Sequence, residues 1–179
     1  MAMAILVAGG AGILALQQAT TEGNLEAREM TTATTIARTW VERLKRDTVL
    51  WTTGGAGVPS ADLTRTLYLL AVPAAGTTST WTTPVPPDLA VESYAFDYFG
   101  NDTLPTAAGV TYCAQDRLQW VSPGRTIRAD VRVWWPRNSR VGGNARFPNC
   151  GVGSETAIGN SNSVRSVTTS VLLHFTRRQ

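Results

Sequence analysis

From Met1 to Leu16 the chain reads MAMAILVAGGAGILAL, with no charged or polar side chain. Farther along, Met30, Ala33, Ala37, Trp40 (or Val41) and Leu44 recur at steps of three and four, which places them on one face of a helix. The other face carries Glu22, Glu26, Glu29, Arg38, Glu42, Lys45 and Arg46. Arg38 with Glu42 and Glu42 with Arg46 are spaced to form opposite-charge pairs along it. The pattern predicts one continuous helix from Met1 to about Trp51, stopped by Thr-Thr-Gly-Gly at 52–55. Such a helix would be about 75 Å long, more than a domain of this size can bury, so its first half is expected to project.

Beyond residue 55 the period changes from that of a helix to that of strands. Arg65–Val72, Val91–Phe99 and Thr111–Val121 are rich in β-formers and bounded by turn residues. The clearest strand is Arg125–Trp135, where Ile127, Ala129, Val131, Val133 and Trp135 alternate with Thr126, Arg128, Asp130, Arg132 and Trp134. A last strand, Val164–Phe175, sets Val167, Thr169, Val171, Leu173 and Phe175 against Thr168, Ser170, Leu172 and His174. Alternation of this kind predicts an antiparallel sheet with one face on a core and one wet. The fold class expected is α+β, with the C-terminal half of the long helix packed on the sheet. The expected division is a stem, 1–51, and a head, 52–179. Between the last two strands, Pro136–Ser163 is a long stretch of Gly, Asn, Ser and Arg, a loop of a length that is usually functional or disordered. Thr77–Pro87, rich in Thr and Pro, reads as a linker.

The apolar opening prefers lipid or the core of an assembly to water, but it is shorter than the roughly 20 residues that cross a bilayer. A signal peptide fits poorly, because no basic residue precedes the run and helical pattern continues after it. Gly9, Gly10 and Gly12 each weaken a helix interior by up to about 1 kcal/mol and are better tolerated where helices pack closely. Residues 1–20 are therefore the candidate membrane or fibre-core segment, through Ile5, Leu6, Val7, Gly9, Gly10, Gly12, Ile13, Leu14 and Leu16.

Charge is divided unevenly along the chain. Residues 1–116 hold 6 Lys and Arg against 11 Asp and Glu, whereas 117–179 hold 10 against 2. Arg125, Arg128, Arg132, Arg137, Arg140 and Arg146, interleaved with Trp134 and Trp135, form a candidate surface. Its two readings are a subunit interface, where Arg and Trp are enriched, and a basic aromatic surface for nucleic acid. Arg128 and Arg132 flanking Asp130 on one strand face favour the interface. Cys113 and Cys150 have no metal spacing and point to one disulfide in an oxidising compartment, worth roughly 4 kcal/mol in the chain-entropy model. No HExxH, GxSxG or P-loop occurs, and the only histidine, His174, sits in a terminal strand as a surface residue. Asp97, Asn101 and Asp102 lack EF-hand spacing and read as a turn. The sequence thus offers no catalytic residue, cofactor site or metal site.

In its layout the chain resembles the type IV pilins and pseudopilins: an apolar then amphipathic N-terminal helix, an antiparallel sheet domain and a two-cysteine region. MAMAILVAGGAGILALQQAT resembles the segment that follows the processing site in that superfamily. ATTIARTWVERL (33–44), IRADVRVWWP (127–136) and SVTTSVLLHF (166–175) are similar to the minor pilins of the PilV, or type IV pilus modification, type. The family's Gly-Phe-Thr-Leu-Ile-Glu processing motif is not in the sequence, and the expectation is that it lies upstream; about eight more residues would bring the apolar run to bilayer length. The resemblance implies a pilin-like fold and a non-enzymatic subunit. Its implied partners are other minor pilins, the major pilin and a large PilY-type tip adhesin. It would be anchored in the bacterial inner membrane with its head in the periplasm before assembly, and at the pilus tip afterwards, in adhesion and twitching motility. A minor pseudopilin of type II secretion and an extracellular DNA-binding module are the alternatives.

Overall fold

The computed structural model describes residues 2–53, 61–84, 86, 88, 92–107, 109–136, 150 and 164–175. Among the described residues the elements are a helix, α1 (Ala2–Asp47), and seven strands: β1 (Thr52–Thr53), β2 (Ala61–Asp62), β3 (Ala95–Phe96), β4 (Asp102–Thr103), β5 (Tyr112–Ser122), β6 (Thr126–Pro136) and β7 (Val164–His174). Short 3-10 turns occupy Thr48–Leu50 and Leu69–Ala71. The chain forms two compact units, Met1–Thr32 and Ala33–Gln179.

The first unit is helix. From residue 10 to residue 24 every side chain is exposed, and Ile13, Leu14 and Leu16 expose 59%, 63% and 69% of their surface. Ile5, Leu6, Val7 and Gly9 lie within the same helical backbone. No helix among the described residues is long and apolar enough to cross a membrane.

The second unit is an α+β domain. Its larger sheet has the order β4-β3-β5-β6-β7, antiparallel at every pairing; β1 and β2 form a separate pair. Alternation along the long strands sends one set of side chains to α1: Tyr112, Ala114 and Leu118 from β5, and Ile127, Ala129, Val131, Val133 and Trp135 from β6. These close on Ala33, Ile36, Ala37, Trp40, Val41 and Leu44 of the helix. Each large side chain buried here contributes about 1.5–3 kcal/mol. Trp40 also meets Tyr68 edge-on, with ring centroids 5.3 Å apart. Two positions depart from the expected stripe: Met30 is exposed, and Ile36 is the buried residue in the following turn.

The opposite face of the sheet is not uniformly wet. At one end Trp134, fully buried, packs with Ala95, Val110 and the Cys113–Cys150 disulfide. Apart from the exposed Leu172, the three long strands carry mainly polar side chains on the rest of that face, the arginines among them.

Two predicted strands are largely absent. Arg65–Val72 forms turns and a 3-10 helix, because both carboxylate oxygens of Asp47 collect the backbone N–H groups of Leu67, Tyr68 and Leu69 at 2.8, 2.8 and 2.9 Å. Amides used that way cannot enter a ladder. Of Val91–Phe99 only Ala95–Phe96 pairs as strand. Beyond it, Asp97 Oδ1 accepts the N–H groups of Phe99 and Asn101, both at 2.9 Å, and folds the chain into a turn with Gly100 at φ +86°. The long loop expected at 136–163 lies, apart from Pro136 and Cys150, outside the described residues.

Candidate interaction site on the polar face of the sheet

The register of β5, β6 and β7 sets the polar side chains in rows across three strands. Arg132 lies between Gln115 and Thr168, Asp130 between Arg117 and Ser170, and Arg128 between Gln119 and Leu172. All point away from α1. The middle row is organised by Asp130, only 3% exposed. Its Oδ2 accepts Arg117 Nη2 at 2.8 Å and Nε at 3.2 Å; its Oδ1 accepts Arg128 Nε at 2.9 Å and Ser170 Oγ at 2.5 Å. Burial alone would push this carboxyl up, but the bonds from Ser170, Arg117 and Arg128 outweigh it and hold the group below the usual carboxylate range.

Arg132 donates to Gln115 Oε1 at 2.6 Å. Its guanidinium and that of Arg117 both lie over Trp81, 4.1 and 4.9 Å from the ring centroid. Trp81 belongs to the stretch that reads in sequence as a linker. Residues 81–83 are instead fastened to the sheet. Where β3 ends, Thr82 takes over the edge of β5, its N–H reaching Asp116 O at 2.8 Å and its carbonyl accepting Asp116 N–H at 2.9 Å. Thr83 Oγ1 donates to Cys150 O at 3.3 Å.

The candidate surface residues therefore separate. Arg128 and Arg132 share a face with Asp130 as expected, and Arg125 is exposed at the β5–β6 turn. Trp134 and Trp135 are both buried, on opposite faces of β6, and supply no exposed aromatic surface. Strict alternation places them there, since the apolar cover over Trp134 comes from the disulfide cluster. Arg137, Arg140 and Arg146 lie outside the described residues. Arg117 and Trp81 join the site without having been singled out. Arg117 alternates with Gln115 and Gln119 on β5, a period-two signal in the sequence, whereas an isolated Trp among threonines gives none.

A second charged cluster lies at the C-terminal end of α1. Arg43 is nearly buried and grips both carboxylate oxygens of Asp102 at 2.9 and 2.8 Å, and Ser93 O at 3.1 Å. Arg46 and the Tyr68 hydroxyl both donate to Glu92. Burial, then the bond to Glu92, raises the Tyr68 phenol above its ordinary value. For Glu92 the upward push of burial is overcome by those two donors, and its pKa is lowered. Expected pairing along the helix is thus partly redirected: Glu42 accepts Lys45 at 2.7 Å, and Arg46 turns to Glu92. Beside the cluster, Val49, Leu50 and Leu67 border a mainly apolar pocket of about 250 Å³.

Among the described residues no group of three His, Cys, Asp or Glu side chains is placed to hold a metal ion. His174 is exposed and shares a hydrogen bond with Thr126 Oγ1 through Nδ1 at 3.1 Å. The arrangement stores its charge in internal ion pairs. Compared with known proteins, the chain matches no family model, and no curated protein or solved structure gives a significant match.

Proposed function

We propose that this chain is a structural minor pilin of the PilV type, a non-enzymatic subunit that helps to prime a type IV pilus and ends at its tip. The observation that carries the reading is one helix, α1, with two chemistries. Its opening is uncharged and apolar, and its last turns are built into the core of an antiparallel sheet. An element of that kind serves two environments: lipid before assembly and the packed helices of a fibre afterwards. The disulfide supports the same reading, because it fits a head domain that matures in an oxidising compartment such as the periplasm.

Gly10 and Gly12 add a further argument. A Cβ built at either would meet nothing within 4 Å, so no contact among the described residues requires glycine there. Small residues that weaken a helix and relieve no internal crowding suit close approach by another helix. The partners would be other minor pilins, the major pilin and a large tip adhesin.

The test is made in the bacterium that encodes the chain. Deleting the gene should reduce surface pili, and a tagged copy should co-purify with sheared fibres. Replacing Gly10 and Gly12 together by Leu should leave the protein in the inner membrane yet exclude it from fibres. Normal piliation after deletion, with the tagged chain absent from fibres, would sink the proposal; a secretion defect in its place would favour the type II pseudopilin. The nucleic-acid reading is the weaker one. Arg117 and Arg128 are bonded to Asp130, and Arg132 to Gln115, so phosphate contact would have to compete with those bonds. A salt-sensitive gel shift with the whole chain would restore it.

A further inference from the structure

Among the described residues the two edges of the larger sheet are built differently. One is β4, of two residues, the kind of short edge by which proteins avoid unwanted pairing. The other is β7, of eleven residues, paired with β6 in unbroken register from Val164 to His174. Among the described residues no segment pairs with its outer side. From Ser166 to Leu173 it contains no charge, no proline and no glycine, so its own sequence carries no residue that blunts an edge.

The direction of its backbone groups follows from the ladder. Phe175 N–H donates to Arg125 O at 2.9 Å, so residues of that parity, from Arg165 to Leu173, exchange bonds with β6. Val164, Ser166, Thr168, Ser170, Leu172 and His174 then direct N–H and C=O outward. Water can meet such groups one at a time, whereas a second extended backbone meets the whole row at once.

We propose that the outer edge of β7 pairs with β7 of a second copy of this chain, antiparallel about a twofold axis at Thr169, to give a ten-stranded sheet. This register joins outward-facing residues to outward-facing residues: Val164 with His174, Ser166 with Leu172, Thr168 with Ser170. It engages the whole strand. It also sets Val167 beside Val171 of the other copy, where both are only partly buried against the edge of the core. No like charges oppose each other, because Arg165 faces Leu173. The inference does not rest on the pilin reading.

Sedimentation of the full chain in detergent tests it, with detergent keeping residues 2–16 from associating. The wild-type chain is expected to be a dimer. Thr168→Pro removes an outward N–H while leaving the bonds to β6, and should be monomeric at the same concentration with an unchanged circular dichroism spectrum. Thr169→Cys, which meets its own copy on the axis, should crosslink under mild oxidation; Leu172→Cys, which meets Ser166, should not. A wild-type monomer overturns the proposal. So does a dimer that survives Thr168→Pro and crosslinks no better at 169 than at 172.

Discussion

Asp116 and Asp130 lie on neighbouring strands, point to opposite faces of the sheet and titrate in opposite senses. Asp116 faces the core, and apart from the sheet's own backbone its carboxylate receives Thr82 Oγ1 at 3.0 Å. Burial pushes it up to about 6. A raised carboxyl favours the fold below the ordinary carboxylate value and loses that contribution as pH climbs through its folded value. For Asp116 the loss falls between about pH 4 and 7 and amounts to about 2–3 kcal/mol. Asp116→Asn should therefore match the wild type in urea unfolding near pH 4 and exceed it increasingly towards pH 7.5. A difference independent of pH would refute the assignment. Asp130, held low by its donors, contributes in the other direction: its share is present above the ordinary carboxylate range and is lost as pH falls through its folded value. The sequence shows Asp130 between Arg128 and Arg132, but only Arg128 bonds to it, and its other donors, Arg117 and Ser170, come from neighbouring strands. The state of Asp116 is not legible in the sequence, because what desolvates it is the core face of β5 and the Thr82 segment, brought together only by folding.

At the scale of elements, hydrophobic period was a sound guide wherever a segment pairs along its whole length. The helix and the three long strands fall within a few residues of their predicted bounds. It failed at 65–72, where a residue outside the segment decides the conformation. Asp47 draws in the N–H groups of Leu67, Tyr68 and Leu69, and no local pattern announces that. Asp47→Ala should leave those amides without an acceptor and cost about 3 kcal/mol, read as a lowered thermal midpoint. Asp47→Asn, which keeps one acceptor oxygen, should fall between. In the first part of α1 the prediction has the opposite sign. Gly10→Ala and Gly12→Ala meet open space and should each strengthen the helix by about 1 kcal/mol, seen as slower amide hydrogen exchange at residues 8–16. Unchanged exchange would mean that the glycines do not limit the helix.

For the molecule as a whole, the disulfide joins β5 to the connection between β6 and β7, across a sequence separation of 37. Replacing Cys113 and Cys150 together by Ser should cost about 4 kcal/mol in reversible unfolding. A shift below about 1 kcal/mol would show that the buried cluster around Trp134 holds that face without it. The charge asymmetry of the sequence foretold where the polar face lies, but not that its arginines would be used internally. That outcome depends on register, which only the assembled sheet fixes.

The spacing of the three long strands along the chain also sets an order of events. β5 and β6 are separated by the turn at 123–125, with Gly124 at φ +71°, whereas β6 and β7 are separated by residues 137–163. A tight hairpin closes within about 10 μs, and the entropy of closing a loop rises by about 0.6 kcal/mol with each doubling of its length. The β5–β6 hairpin should thus form first and wait for β7. During that interval β6, the strand richest in buried apolar side chains, is itself an open edge, and Asp130 lacks Ser170. The moment of greatest exposure to misassociation is therefore late in folding, and fastening Cys150 to Cys113 shortens it by shrinking the loop that β7 must close.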